Sequence, residues 1–294
     1  MALMLFVASF GCVFGPYRGS LEKEKQLKAV SIGTFHYLGL KENGTVIAEG
    51  FDEYGVLDVR DWKDIVAIAA GDHISVGLRK DGTVVVCGNI NDELEAVSGW
   101  ADIIDIITCD YDIVGLKKDG TVVSTHNSGI YLDYSGWTDI IAVSACHDHA
   151  VGLKRDGTVV ACGKNDHGQC DVETWTDIVA VSAGREHTIG LRKDGTVVAC
   201  GYVEHSDLED DQFITEDIGC CDVAGWTDIV AISTANSYTL GLKKDGTVVA
   251  CGYSDNGYCD VTDWTGIAAI YAGGPSIGLK SDGTIVKTKN PVDS

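Results

Sequence analysis

The sequence predicts an all-β fold: a seven-bladed β-propeller of four-stranded blades, its ring closed by an N-terminal strand. Three observations carry this. One phrase follows each of the six tryptophans, a second recurs seven times, and the 294 residues hold 36 glycines but only 3 prolines, with no long apolar stripe of helical period.

Trp62, Trp100, Trp137, Trp175, Trp226 and Trp264 open a phrase best preserved as WTDIVAVSAG from Trp175, at spacings of 38, 37, 38, 51 and 38. The second phrase, of the type GLKKDGT, places its turn glycine at Gly44, Gly82, Gly120, Gly157, Gly195, Gly246 and Gly283. A first unit without tryptophan precedes Trp62, so seven units fill residues 27 to 294, starting near 27, 62, 100, 137, 175, 226 and 264. A period near 38 with several short strands per unit is the signature of a propeller, in which neighbouring blades cover each other's faces.

Within a unit, DIVAVSAG alternates apolar residues and reads as the first strand. HTIGLR is the second, TVVACG the third and the brief QCDV the fourth. Asp-Gly, or Asn43-Gly44 in the first unit, joins strands two and three as a dipeptide that accepts positive φ in a tight hairpin. Its aspartate is therefore read as turn chemistry. The last unit stops after GTIVKTKN without a QCDV equivalent. Residues 1 to 26 form a separate N-terminal segment, and part of residues 3 to 14, LMLFVASFGCVF, is expected to supply the missing strand of the seventh blade.

The stretch VSAGREHTIGLRKDGTVVACG, residues 181 to 201, together with a GQCDV tail, resembles the repeat of the regulator of chromosome condensation family, whose members form seven-bladed propellers. Its third strand often carries an aromatic where this chain has Cys162, Cys200 or Cys251. The short blades are similar to a bacterial branch that includes a secreted β-lactamase-inhibitor propeller. In that inhibitor, aromatics in the loops between first and second strands grip the partner enzyme, and Phe35, Tyr111 and Tyr238 match them by place. The family's exchange factor engages a small GTPase and chromatin, a role that the charge of this chain opposes.

That charge is -22, which repels a phosphate backbone and an anionic membrane surface, so no nucleic acid and no membrane are expected as partners. A protein partner with a basic or mixed surface fits better. The eleven cysteines, an odd number in a chain whose 45% hydrophobic content supplies a core, suit a reducing compartment. A cytoplasmic monomer is expected, with secretion as the alternative if the apolar start MALMLFVASFGC acts as a signal.

Comparing the units with one another separates two faces. The Asp-Gly turns and the tryptophan connections recur, and they lie on one face of the ring. The loops between strands one and two, and between three and four, differ from unit to unit and lie on the other. Candidate binding residues on that variable face are Phe35, His36, His73, Tyr111, Asp112, His147, His149, Arg185, His187 and Tyr238. Twelve of the 22 Lys and Arg residues precede the Asp-Gly turns, which leaves the variable face acidic. An insertion over residues 202 to 219 in the fifth unit adds a run of carboxylates there.

No catalytic constellation, cofactor site or metal site emerges, and a non-catalytic protein-binding propeller, of adaptor or inhibitor type, is the expected function. A carbohydrate-binding propeller or a hydrolase with a site at the channel mouth is the alternative. CHDHA, residues 146 to 150, offers ligands too close in sequence to converge unaided on one ion. Cys162 and Cys170 recur as positions that other units fill with threonine or leucine, which marks packing. Oxidation of the Cys162-Cys170 and Cys251-Cys259 pairs stays open, as does a role for the loop from Lys164 to His167.

Overall fold

The computed structural model of the chain describes residues 27–89, 93–109, 112–125, 132–202, 204–209, 212–217, 219–254, 257–273 and 275–288. Seven antiparallel three-stranded sheets follow one another along these residues, one for each repeat. Blade 1 comprises Leu27–Ile32, His36–Lys41 and Val46–Gly50; blade 5 comprises Ile178–Ala183, His187–Arg192 and Val197–Gly201; blade 7 ends with Ile285–Lys287. The first strand of each blade packs on the first strand of the next, and that of blade 7 meets that of blade 1, so these inner strands surround the axis. The molecule is a seven-bladed propeller.

The segment expected to be a fourth strand makes turns instead. In blade 4 the Gly168 N–H donates to Asn165 O, Asp171 N–H to Gly168 O and Val172 N–H to Cys170 O. The Cys170 N–H donates to Asn165 Oδ1, so the amides of Cys170, Asp171 and Val172 are spent locally rather than in a ladder. Of this segment Gln169 and Val172 are inside, and Asp171 is exposed. The closing strand expected from residues 3 to 14 lies outside the described residues. What the structure shows of the closure is an apolar cluster joining Leu27, Val30 and Ile32 to Tyr271, Ile277 and Leu279. The fifth-blade insertion is a two-stranded antiparallel ribbon, Glu204–Glu209 paired with Gln212–Asp217, in register Leu208 to Phe213.

The Asp-Gly phrase is a three-residue turn in which only the glycine takes positive φ. Gly82 sits at φ 83, its N–H donates to Arg79 O at 3.0 Å, and Arg79 N–H donates to Thr83 O at 2.8 Å. The aspartate holds the turn by accepting from the Thr83 N–H at 3.0 Å and the Thr83 hydroxyl at 2.7 Å. These bonds hold the Asp81 carboxyl below the usual carboxylate range. The turn also joins blades: Gly44, Gly82, Gly120, Gly157, Gly195 and Gly246 each accept, through the carbonyl, the first amide of the next inner strand at 3.0 to 3.3 Å. Two demands on one tripeptide account for its recurrence.

The recurrent tryptophan is tied to a recurrent glycine. Trp175 sits among Val151, Leu153 and Val159 of blade 4 and Ile178 and Val181 of blade 5, so its ring wedges two blades together. Its six-membered ring lies over Gly190 in the middle strand, where a Cβ would come within 2.7 Å of Cζ3. Gly77, Gly115, Gly152, Gly241 and Gly278 face their own tryptophans in the same way. Gly190→Ala therefore overpacks the wedge and should cost about 1–3 kcal/mol. Gly99→Ala, at a site with nothing within 4 Å, serves as the control. Chemical denaturation of both variants checks this; equal stabilities would refute the wedge.

Candidate functional site

The walls between blades decide which loop residues reach the surface. In the wall between blades 1 and 2, the Ser75 hydroxyl donates to Val56 O at 2.7 Å, and Cys87 Sγ donates to the same carbonyl at 3.5 Å. With its proton committed, the serine oxygen can only accept, and His36 Nε2 supplies the bond at 2.7 Å. The wall between blades 4 and 5 repeats this with His149, Thr188, Gln169 O and Cys200 at 2.8, 2.7 and 3.5 Å. The wall between blades 5 and 6 uses His187, Thr239, Cys220 O and Cys251 at 3.2, 2.8 and 3.4 Å. Between blades 6 and 7, the Tyr238 hydroxyl stands 2.8 Å from Ser276 Oγ, which donates to Tyr258 O. Where the next blade offers no hydroxyl the tie is replaced: Ile74 precedes Ile113, both buried.

Five of the ten residues expected on the binding surface are therefore corrected. His36, His149, His187 and Tyr238 are buried because their polar atoms tie blades together. Asp112 is buried in blade 3 and accepts from the Thr125 hydroxyl at 3.3 Å. Tyr111 lies outside the described residues. Phe35, His73 and His147 are half-buried on the variable face, and Arg185 is exposed. His147 occupies the left-handed region at φ 50 in the two-residue turn between Cys146 and His149.

Two lips of aromatic rings crown these walls. Above the wall of blades 1 and 2, Phe35 stacks on His73 at 5.2 Å between centroids, and Tyr54 meets His73 edge-on at 5.3 Å. The Phe51 N–H donates to Phe35 O at 2.8 Å, and the Thr34 hydroxyl donates to Asp72 across the two blades. Phe51 and Tyr54 are 54% and 55% exposed. Above the wall of blades 4 and 5, His167 meets Tyr202 edge-on at 4.8 Å, with Glu186 Oε1 3.8 Å from His167 Nε2. The loop from Lys164 to His167 thus contributes its histidine to a lip.

Tyr54 and His167 hold the same place in their repeats: each stands two residues before the carbonyl, of Val56 or Gln169, that takes both wall bonds. Sequence comparison placed the loops between third and fourth strands on the variable face but missed Phe51 and Tyr54 as surface residues of the first. The usable signal was their position ahead of the GV or GQ pair whose next strand carries serine or threonine.

Three stretches of the chain, residues 65–93, 140–169 and 178–202, match the Regulator of chromosome condensation (RCC1) repeat. These stretches are blades 2, 4 and 5 of the seven. No curated protein sequence matches the chain. Solved structures similar to this propeller include yeast RCC1 (Prp20) with Kap60 bound, at 16% identity and a TM-score of 0.64, covering 86% of this chain and 80% of that one. Another is the CRINKLY WD40 ectodomain of the Arabidopsis thaliana receptor kinase ACR4, at 18% identity and TM-score 0.65, covering 90% and 96%. Human WBSCR16 follows at 13% identity and TM-score 0.62, covering 91% and 87%. At these identities the likeness establishes the fold.

Chemistry inside this propeller is limited by burial. Among the described residues, no three His, Cys, Asp or Glu side chains converge to hold a metal. Burial pushes the Asp105 carboxyl up to about 6, against the hydrogen bond it accepts from the Ile106 N–H. The ten described cysteines are thiols, none in a disulfide. Cys170 Sγ donates to Lys164 O at 3.3 Å, and Cys259 Sγ donates to Tyr253 O at 3.5 Å. Burial pushes the thiols of Cys87, Cys162, Cys200 and Cys251 up to about 12. Thiolate is the reactive form, so iodoacetamide at neutral pH should alkylate these four slowly in the folded protein and rapidly in denaturant. Mass spectrometry of time points reads this, and rapid native labelling would contradict it.

The histidine ties carry a pH signature. Desolvation first, and then the neighbouring His73 or His147, lowers His36 and His149 to about 4. Their Nδ1 atoms are buried without a hydrogen-bond partner in the protein, so protonation would strand a charge there. The folded pKa lies below the unfolded one near 6.5. The stability these rings confer by staying neutral is complete above pH 6.5 and is lost as pH falls toward 4, on the order of 3 kcal/mol for each. The turn aspartates act only below their ordinary pKa, in a lower window. Unfolding free energies from pH 7.5 to 4.5 should fall steeply, and less steeply in His149→Gln; parallel slopes would exclude the tie as the cause.

Proposed function

We propose that this chain is a non-catalytic protein-binding propeller of adaptor or inhibitor type, which engages a partner with a basic or mixed surface through its variable face. The observation that carries the reading is the lip of blades 1 and 2, where Phe51 and Tyr54 stand more than half exposed above a cross-braced pair of loops. Large aromatics held rigid at the surface lose little entropy on contact and dominate the energetics of protein interfaces. Their surroundings fit the partner's charge: Asp52, Glu53 and Asp58 are exposed beside them, in a chain of net charge -22. The yeast relative, in its complex with Kap60, supports protein binding as a use of this fold.

A sugar-binding propeller would repeat one polar and aromatic set from blade to blade, whereas the two lips described here differ in every ring. The test compares proteins captured by the intact chain with those captured by a Phe51→Ala, Tyr54→Ala variant and by a Lys80→Ala, Lys118→Ala variant of the constant face. A partner lost only from the first variant is expected. Equal capture by all three, together with binding to a glycan array, would overturn the reading in favour of a carbohydrate site.

A further inference from the structure

We propose that the lip of blades 1 and 2 takes the guanidinium or ammonium group of a basic side chain on the partner protein, seated against Tyr54 and Phe51. This rests on the protein-binding reading above and names the chemistry of its contact.

Two properties of the lip occur together. Its rings are presented outward and fixed: Tyr54 adopts the left-handed region at φ 67, costly for a bulky residue, and the loop is braced on both sides. Asp52 accepts the Leu57 N–H at 3.1 Å, and Val56 O accepts the Ser75 hydroxyl. The same loop carries carboxylates between its rings, in the order Phe51, Asp52, Glu53, Tyr54, all four exposed.

A purely apolar ligand covering the two rings would desolvate Asp52 and Glu53 without compensation. An anion would meet the carboxylates directly. A cation satisfies both parts at once: the ring faces attract it through their quadrupole, and the carboxylates supply Coulomb attraction and hydrogen-bond acceptors. More than half of the chain's cations stand away from the lip, since twelve of its 22 Lys and Arg residues belong to the turns of the opposite face. The other lip differs in kind, because Glu186 already faces His167 there.

The experiment titrates the full-length protein with blocked pentapeptides that differ only in a central arginine, lysine, or citrulline, the last being a neutral isostere of arginine. Binding is followed by calorimetry at low salt. Arginine and lysine peptides are expected to bind and the citrulline peptide not to. Tyr54→Ala and Phe51→Ala should each weaken the arginine peptide about threefold to tenfold, and Tyr54→Phe should retain it. Glu53→Gln should weaken it and flatten its salt dependence. Equal binding of citrulline would overturn the proposal in favour of an apolar platform. Arginine binding indifferent to Tyr54 and Phe51 would also overturn it, as general attraction to an acidic surface. Either failure leaves the protein-binding reading to its own capture test, since loss of a partner from the Phe51, Tyr54 variant would then mean a different anchor at the same lip.

Discussion

Everything on the variable face depends on a hydroxyl whose proton is already committed. Ser75, Thr188 and Thr239 each donate to a carbonyl of the preceding blade, which turns the oxygen into an acceptor for the histidine of that blade. One bond therefore fixes the donor of the next, and in the three histidine walls a thiol adds a second donor to the same carbonyl. Sheets that twist apart toward the rim of a ring need polar ties of this kind, because apolar wedges such as Trp175 give adhesion without register. The ties give register, and they cost little since each polar group is satisfied inside the wall.

The walls position the lips. Val56 and Gln169 hold the doubly bonded carbonyls, so the residues two places earlier, Tyr54 and His167, leave the wall at a fixed point and angle. Phe35 is fixed from the other side, as the neighbour of buried His36. The opposite face has no such freedom, because six of its turns must each satisfy their own hairpin and an amide of the next blade. Variation is thereby confined to one face by hydrogen bonding, and the acidity of that face follows from placing so many of the cations beside the turns of the other.

Much of this was legible in the sequence, for reasons that can be named. Blade number and boundaries follow from a period set by Trp and Asp-Gly, two features with fixed partners in the next blade. The constant and variable faces follow from strand alternation. The fourth strand was misread because a short segment with apolar residues reads alike in a turn and in a ladder, and at residues 169 to 172 Gln169 and Val172 are buried while Asp171 is exposed. His36, His149 and His187 were misread because a histidine at the start of a middle strand looks alike whether it faces solvent or a wall.

Yet the sequence contains the information that separates those two cases. A histidine or tyrosine at the start of a middle strand occurs at His36, His149, His187 and Tyr238, and the following blade then carries Ser75, Thr188, Thr239 or Ser276 one place along. Ile74 is followed by Ile113, and Asp112 by Ala150. A surface residue has no reason to track the identity of a residue in the next repeat, whereas a wall residue must, since an unmatched buried donor costs about 1–3 kcal/mol. Neighbouring repeats thus serve as an internal record of contact. Phe51 and Tyr54 stand outside this pairing, and the exposure of both, with the left-handed backbone of Tyr54, calls for a partner outside the ring.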